Sequence, residues 1–351
     1  MAASGKFRVG IIGLGMASPP HVLSLLDLTD RVDVVGAFSP SAARRSDFHA
    51  RFGLPTVENV DAIFEERSID YVVILTPPNT HLELVQRAAQ AGKHVLLEKP
   101  LDVTLERSRQ VIETARQASV RLGITFQRRF RTTFVETARR IAEGELGGIV
   151  SASIRLANWR PQSYYDEPGR GTLARDGGGV LLTQAIHTID QLIALAGLPV
   201  EVSCLAVTSP IHRMETEDLV HATLRFGNGA IGVLSATTAA YPGFPDSIEI
   251  LGTKGSARLE GDGGVINLMD GRTFLLTDDT ADRGSGADPM DFSHHNHRAV
   301  HEDFLMALEK DREPSVQGID SLAAHLLIDA LLRSAKEGET AYLKPFTILP
   351  K

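Results

Sequence analysis

The residues best placed to do chemistry begin at Arg8-Val9-Gly10-Ile11-Ile12-Gly13-Leu14-Gly15-Met16-Ala17-Ser18. A β-branched run ends in glycines and opens into Pro19-Pro20-His21-Val22-Leu23-Ser24, the pattern of a strand, a tight turn and a helix. Such a turn seats a phosphate. Gly13 permits a backbone that L residues resist, Gly15 lets the main chain approach a pyrophosphate, and the unpaired N–H groups of the helix start supply positive potential. Prolines suit that first turn, where a missing N–H costs nothing. Ser18 stands where a third glycine would complete the fingerprint, so G-x-G-x-x-S alone is shared with an ordinary strand-turn-helix. The second strand-like run at 32–38 favours the phosphate turn.

Two further residues carry chemistry. Lys99, in Glu98-Lys99-Pro100, stands at the carboxyl end of an apolar run and before a proline, a poor place for an ordinary surface cation. His187 lies on the helix opened by Asp176-Gly177-Gly178-Gly179, with Thr183, His187 and Asp190 one turn apart on one face.

The elements that must position these residues follow from length and periodicity. At 351 residues the chain is long enough for two domains of roughly 100 to 200 residues each. Apolar runs at 9–12, 32–38, 71–75, 94–97 and 122–126 alternate with helix-patterned segments at 42–52, 81–91 and 105–118, the signature of a parallel βαβ sheet. Ligands of such sheets sit beyond the carboxyl ends of the strands, so the loops there should face them. The second run ends in Ser39-Pro40-Ser41 followed by Arg44 and Arg45, with no acid to hold two ribose hydroxyls. A hydroxyl and a guanidinium suit the 2′-phosphate of NADP better than the bare ribose of NAD, and NADP is preferred. The third run leads into Thr76-Pro77-Pro78-Asn79-Thr80-His81, a rigid turn that keeps the backbone close to a ligand.

A net charge of −8 without a basic arm argues against a sequence-independent grip on nucleic acid. The single cysteine, Cys204, cannot form an internal bridge and fits a reducing compartment. No targeting segment precedes the first strand, and no apolar run approaches the roughly 20 residues of a membrane span. A cytoplasmic protein without membrane contact is expected.

Gly13-x-Gly15, Thr76-Pro77-Pro78-Asn79-x-His81, Glu98-Lys99-Pro100, and Gly177-Gly178-Gly179 with His187 and Asp190 together resemble the glucose–fructose oxidoreductase/inositol dehydrogenase/rhizopine catabolism (Gfo/Idh/MocA) family of NAD(P)-dependent oxidoreductases. The resemblance covers nearly the whole chain. It implies a Rossmann domain over 1–127 and an α/β domain on a largely antiparallel open sheet over 128–351, which binds substrate and oligomerises as a homodimer or homotetramer. It further implies hydride transfer at a ring hydroxyl or ketone of a sugar or cyclitol, a polyhydroxylated small molecule. Gly13, Gly15, Met16, Ala17, Ser39, Arg44, Thr76, Pro77, Asn79, His81, Glu98, Lys99 and Gln127 are the implied cofactor residues. Lys99 and His187 are the implied catalytic pair, meeting at one carbon, with His187 as proton acceptor and Lys99 as electrostatic stabiliser or relay. Many members carry an Asp one turn before the histidine. Thr183 stands there instead; a hydroxyl can position substrate but cannot stabilise an imidazolium as a carboxylate does.

Helix 132–143 leads into short alternating runs at 149–156, 201–208, 219–226, 230–236, 247–251 and 256–259, which read as hairpins of an antiparallel sheet. The aromatic and arginine-rich stretch from Asn158 suits a loop over a polyhydroxylated ligand, with Arg160, Tyr165, Arg170, Thr183, His187 and Lys99 as substrate contacts. Residues 277–293 lack periodicity and read as a mobile surface loop. His297 and His301 share a helix face, but no carboxylate-and-histidine set of catalytic-zinc type surrounds them, and no metal is expected. Two other functions share much of this pattern: a cofactor-retaining glycoside-processing enzyme working through a transient 3-keto sugar, and a non-catalytic dinucleotide-responsive regulator.

Overall fold

The computed structural model describes residues 5–278 and 293–343, so the loop expected at 277–293 lies almost wholly outside the described residues. Along the chain come β1 (Phe7–Ile12), α1 (Ser18–Asp27), β2 (Val32–Phe38), α2 (Ala42–Phe52), β3 (Thr56–Val57), α3 (Asp61–Glu65), β4 (Tyr71–Ile74), α4 (His81–Gln90), β5 (His94–Leu97), α5 (Leu105–Gln117) and β6 (Leu122–Ile124). Next are α6 (Thr132–Ala142), β7 (Ile149–Trp159), the single turns α7 (Gln162–Tyr165) and α8 (Leu173–Asp176), a π-helical turn at Leu181–Ala185, and α9 (Ile186–Ala196). Strands β8 (Pro199–Val207), β9 (Leu219–Phe226), β10 (Ile231–Thr237), β11 (Ala239–Gly252), β12 (Gly255–Glu260), β13 (Gly263–Leu268) and β14 (Thr273–Thr277) precede α10 (His295–Glu309), α11 (Gly318–Glu337) and β15 (Ala341–Tyr342).

The chain divides into two compact units. One holds the described residues up to Gln127 together with His294–Ser321; the other runs from Arg128 to Ser293 and again from Leu322. The first unit is built on a six-stranded sheet in the order β3-β2-β1-β4-β5-β6, every pair parallel. Its inner strands are apolar without alternation because both faces are covered: all four residues of β4 are buried. Ser41 and Thr104 cap α2 and α5 by accepting the N–H groups of Arg44 and Arg107. The short β3 and α3 escape a periodicity reading, since two and five residues carry no repeat.

Helix α10 returns to this first unit and packs on α1. Its amphipathic face buries Phe304, whose ring lies 5.4 Å from that of Tyr71 on β4. Arg121 at the start of β6 is anchored on the turn after α10 through Asp311 at 2.8 Å and through Glu313.

The second unit carries a nine-stranded sheet in the order β14-β13-β12-β11-β7-β10-β9-β8-β15. Every pair is antiparallel except β7 with β10. The hairpin series thus extends through β13 and β14, beyond the expected runs. Helix α9 packs on β7 and β11, and α6 on β12 to β14. Helix α11 reaches β8, where the Cys204 N–H donates to Ser334 Oγ at 3.0 Å. The opposite face is open: β9 alternates buried Val220, Ala222 and Leu224 with exposed His221, Thr223 and Arg225.

The stretch Leu173–Ala196 is long and apolar enough by length and composition to cross a membrane, although 72% of its apolar window is buried within the protein. It comprises α8, the glycine turn, the π turn and α9, whose apolar residues are core.

Phe304→Ala removes a side chain with 1% exposure and should cost about 3–5 kcal/mol of stability, read as a lower denaturant midpoint in chemical unfolding. An unchanged midpoint would show that α10 contributes no core to the first unit.

Candidate active site

At the first turn Gly13 has φ 107°, and a Cβ there would lie 2.7–2.8 Å from the backbone of Leu75 and Thr76. Glycine is therefore required by the approach of two strand ends as well as by the turn. Gly15 differs: a Cβ would meet nothing within 4 Å, so its backbone faces open space. Helix α1 begins with Ala17 at its N-cap, no side-chain cap and no acid. Its first N–H, that of Ser18, donates to the Gly15 carbonyl at 3.1 Å and Pro19 and Pro20 carry none, so what the helix start offers an anion is the positive end of its dipole. Ser18 fits in place of the third glycine because its hydroxyl turns back and donates to the Gly15 carbonyl at 2.8 Å. Met16 is exposed beside the turn.

The strand-end loops of the first unit surround this turn. Gly13 N–H donates to Phe38 O at the end of β2. Just beyond, Ser39 is buried, and its carbonyl accepts from Arg45 Nη1 at 2.7 Å. Arg44 is exposed, and its guanidinium makes no ion pair among the described residues. After β4, the loop from Thr76 to Thr80 is closed by Thr80 Oγ1 donating to Pro77 O at 2.8 Å, with Thr76 Oγ1 at 2.7 Å; Asn79 stays exposed. His81 is fully buried, with Nε2 2.9 Å from Thr76 O and Nδ1 3.0 Å from Pro100 O, so it ties the loop after β4 to the loop after β5. Burial lowers its pKa. Asp102 supports the same junction by accepting the Leu82 N–H and pairing with Arg107 at 2.6 Å.

Glu98 and Lys99 follow β5. Glu98 is buried; its Oε2 accepts the Lys99 backbone N–H at 3.0 Å and its Oε1 lies 3.0 Å from His21 Nε2. Burial raises the Glu98 pKa, against the pull of the neighbouring Lys99 charge. His21 Nδ1 in turn lies 3.0 Å from His301 Nε2 on α10, and burial pushes the His21 pKa down to about 3. His297, on α10, stands with its ring 5.0 Å from that of His21. The sequence shows no carboxylate-and-histidine set of catalytic-zinc type around His297 and His301; the fold brings Glu98 and His21 beside His297. The lysine side chain itself is half-buried.

In the second unit the helix bearing His187 is held from below and behind. Gly179 is obligatory, since a Cβ would stand 1.9 Å from Glu217 O. Both oxygens of Glu217 accept main-chain N–H groups, from Gly179 and Leu181, each at 3.1 Å. This helix start is thus closed by its own carboxylate, unlike that of α1. Thr183 lies in the π turn, its hydroxyl donating to Gly179 O at 2.7 Å and close to the Gln184 side chain. Such turns recur at functional sites, and no periodicity announces them. His187 is buried on the first turn of α9. Asp190, one turn on, is committed to a bidentate pair with Arg129 at 2.6 and 2.7 Å. Its neighbour Arg128 pairs with Asp246.

The loop after Asn158 is internally bonded. Tyr165 OH lies 2.7 Å from Thr238 Oγ1, and burial raises its pKa. Arg170 pairs with Glu167, donates to Tyr164 OH at 2.9 Å and stacks on that ring at 4.3 Å. Arg160 is buried and donates to Trp159 O at 2.8 Å. Its carbonyl faces His212 Nε2 at 2.8 Å, while His212 Nδ1 lies 2.6 Å from Asp218. Sequence reasoning missed His212, Asp218 and Glu217, since none lies in a motif and the main-chain partners of His212 and Glu217 are distant along the chain.

Two observations fit a dinucleotide in the first unit. Gly15 leaves open the space a Cβ would fill, and Gln127 has a buried Oε1 that accepts no hydrogen bond, an acceptor for an amide of the ligand.

Comparison with known proteins agrees with this architecture. Residues 7–126 match the family model described as "Oxidoreductase family, NAD-binding Rossmann fold", and residues 134–258 match the "GFO/IDH/MocA C-terminal domain". An inositol 2-dehydrogenase of Rhizobium meliloti is 29% identical over 94% of this chain and 97% of its own length. An uncharacterized oxidoreductase of Schizosaccharomyces pombe, C115.03, is 32% identical over 71% of this chain and 69% of its own. Among solved structures, the WlbA dehydrogenase of Bordetella pertussis, in complex with NADH and UDP-GlcNAcA, superposes with a TM-score of 0.83 at 28% identity, covering 97% of this chain and 100% of that one.

His81 gives a pH prediction. Its folded pKa lies below the unfolded value of 6.5, so the unfolded state binds the proton more readily and stability is lost as pH falls below about 6.5. His81→Gln should flatten that acid limb in thermal melts recorded across pH; an identical slope would remove His81 from the linkage.

Proposed function

The chain belongs to the Gfo/Idh/MocA family of NAD(P)-dependent oxidoreductases, and on that premise we propose that it moves a hydride between the nicotinamide and a ring hydroxyl or ketone of a sugar or cyclitol. The observation that carries this reading is the first-unit turn: an uncapped, acid-free helix start behind Gly13 and Gly15, with Lys99 on the strand-end loop two strands away. The nicotinamide, when bound, supplies the hydride acceptor or donor. His187 takes the hydroxyl proton of the alcohol during oxidation and returns it to the alkoxide during reduction. Lys99 stabilises the negative charge that develops on the same oxygen. Glu98 orients Lys99 by accepting its backbone N–H, and the π turn and Glu217 hold the helix that carries His187. Thr183 serves as a substrate-positioning hydroxyl. Arg160, Tyr165 and Arg170 shape the loop that receives the polyhydroxylated substrate.

We place NADP ahead of NAD. Ser39 ends β2 without an acid, and exposed Arg44 is unspent on any ion pair among the described residues, whereas Arg45 is engaged by the Ser39 carbonyl. A second copy of the chain is placed on the open face of the second-unit sheet, where Leu205, Val207, Ile231 and Val233 are exposed side chains.

With a panel of sugars and cyclitols, Lys99→Ala and His187→Ala should each lower kcat by about 10²–10⁴-fold while leaving NAD(P)H affinity, read by fluorescence titration, within a few-fold. Full turnover in both variants sinks the role assignment. Arg44→Ala should raise KM for NADP by roughly 10-fold and leave that for NAD unchanged, as expected for one lost charge-assisted contact; equal effects on both would withdraw the NADP preference. Ile231→Lys with Val233→Lys should convert the oligomer to a monomer in light scattering.

A further inference from the structure

The first unit contains a group of side chains of which the proposed function uses Glu98 alone, as acceptor of the Lys99 N–H. His21 from α1, Glu98 from the end of β5 and His297 from α10 each offer one ligand atom, and these atoms lie within 4.8 Å of one another. All three residues are buried. We propose that this group is a binding site for one divalent transition cation of the zinc class, held by two imidazoles and one carboxylate.

Four features of the cluster support that ligand chemistry. Two histidines and a glutamate form a donor set suited to Zn²⁺ and its neighbours, and bonds of about 2.0–2.2 Å to three such ligands place the donor atoms about 3.3 Å apart in a tetrahedral arrangement. His21 Nε2 and Glu98 Oε1 already stand at 3.0 Å. A ligating imidazole must be neutral, which suits the fully buried position of His21. The ligands also have the outer contacts that orient such groups: Glu98 Oε2 accepts the Lys99 N–H at 3.0 Å, and His21 Nδ1 meets His301 Nε2 at 3.0 Å.

The proton inventory closes without a co-reactant. Without metal, His21 Nε2–H donates to Glu98 and His301 Nε2–H donates to His21 Nδ1. For His21 Nε2 to present a lone pair to the cation, its proton moves to Nδ1 and donates to His301 Nε2, whose own proton shifts to Nδ1. The two imidazoles keep one proton each, and any proton on Glu98 is released to solvent. The site draws its ligands from the helix after the glycine turn, the strand before Lys99 and the returning helix, so the cation would cross-link these three elements and fix the Lys99 backbone through Glu98.

The test uses the untagged full chain, dialysed against chelator and titrated with Co²⁺, whose visible d–d absorption reports few-coordinate nitrogen and oxygen ligation. One equivalent per chain should bind, be displaced by Zn²⁺, and raise the melting temperature reversibly on chelation. His297→Gln and His21→Gln should each weaken Co²⁺ binding by at least about 10-fold, and His295→Ala, an exposed neighbour, should leave it unchanged. X-ray absorption of the wild-type Zn²⁺ form reads two imidazoles directly and does not depend on whether the variants fold. Absence of uptake by the wild type, uptake insensitive to both His21→Gln and His297→Gln, or a Zn²⁺ spectrum without imidazole scattering would each overturn the proposal and leave a hydrogen-bonded cluster only.

Discussion

A carboxylate inside a protein must be satisfied or neutralised, and the way Glu98 is satisfied governs the first unit around it. One oxygen takes the backbone N–H of Lys99, and the other faces the His21 imidazole. That second contact joins the residue before the lysine to the helix that starts at the glycine turn, and His21 passes the connection on to α10 through His301. Three segments far apart in sequence are thereby fastened at one polar point within an apolar interior. The parallel sheet supplies the setting, since its strands all end on the same edge and so deliver Gly13, Thr76 and Glu98 to neighbouring loops.

The second unit solves the corresponding problem differently. At its helix start Glu217 takes two main-chain N–H groups, and the missing side chain of Gly179 lets the segment before β9 that carries Glu217 come close. The contrast is chemical: an open helix start remains available to an anion, whereas a capped one is a fixed support. Farther along the same helix Asp190 is consumed by Arg129, and the loop after Asn158 is braced from inside by His212, Asp218 and Thr238. These polar contacts replace side-chain freedom with geometry before any ligand arrives.

Much of this was legible beforehand, for reasons that differ from residue to residue. Strands 32–38 and 94–97 and helix 42–52 announce themselves through apolar runs, Ser41 at an N-cap and Gly53 at a left-handed C-cap. Gly13 is legible because few backbones other than a tight turn demand that residue after a β-branched run. Tyr165 and Arg170 stand out by type and loop position, but the partners of their polar atoms, Thr238 for one and Glu167 with Tyr164 for the other, carry no sequence signal. Strand β3, the hairpin extension through β14 and the π turn at Leu181–Ala185 were equally silent, being too short or too irregular to repeat.

By itself the sequence determined the parallel βαβ half, the hairpin-rich second half, the phosphate-type turn and the family to which the chain belongs. The first three are written in local periodicity, capping and turn chemistry, which act over a few residues, and the family in the resemblance of its short motifs. Only tertiary structure decided which distant groups would share a buried site. His21 and His301 stand 280 positions apart, and Glu98 joins them because strand order and the return of α10 bring them together. A buried polar contact needs one partner of the right kind at hydrogen-bond distance, and no repeat along the chain encodes where that partner lies.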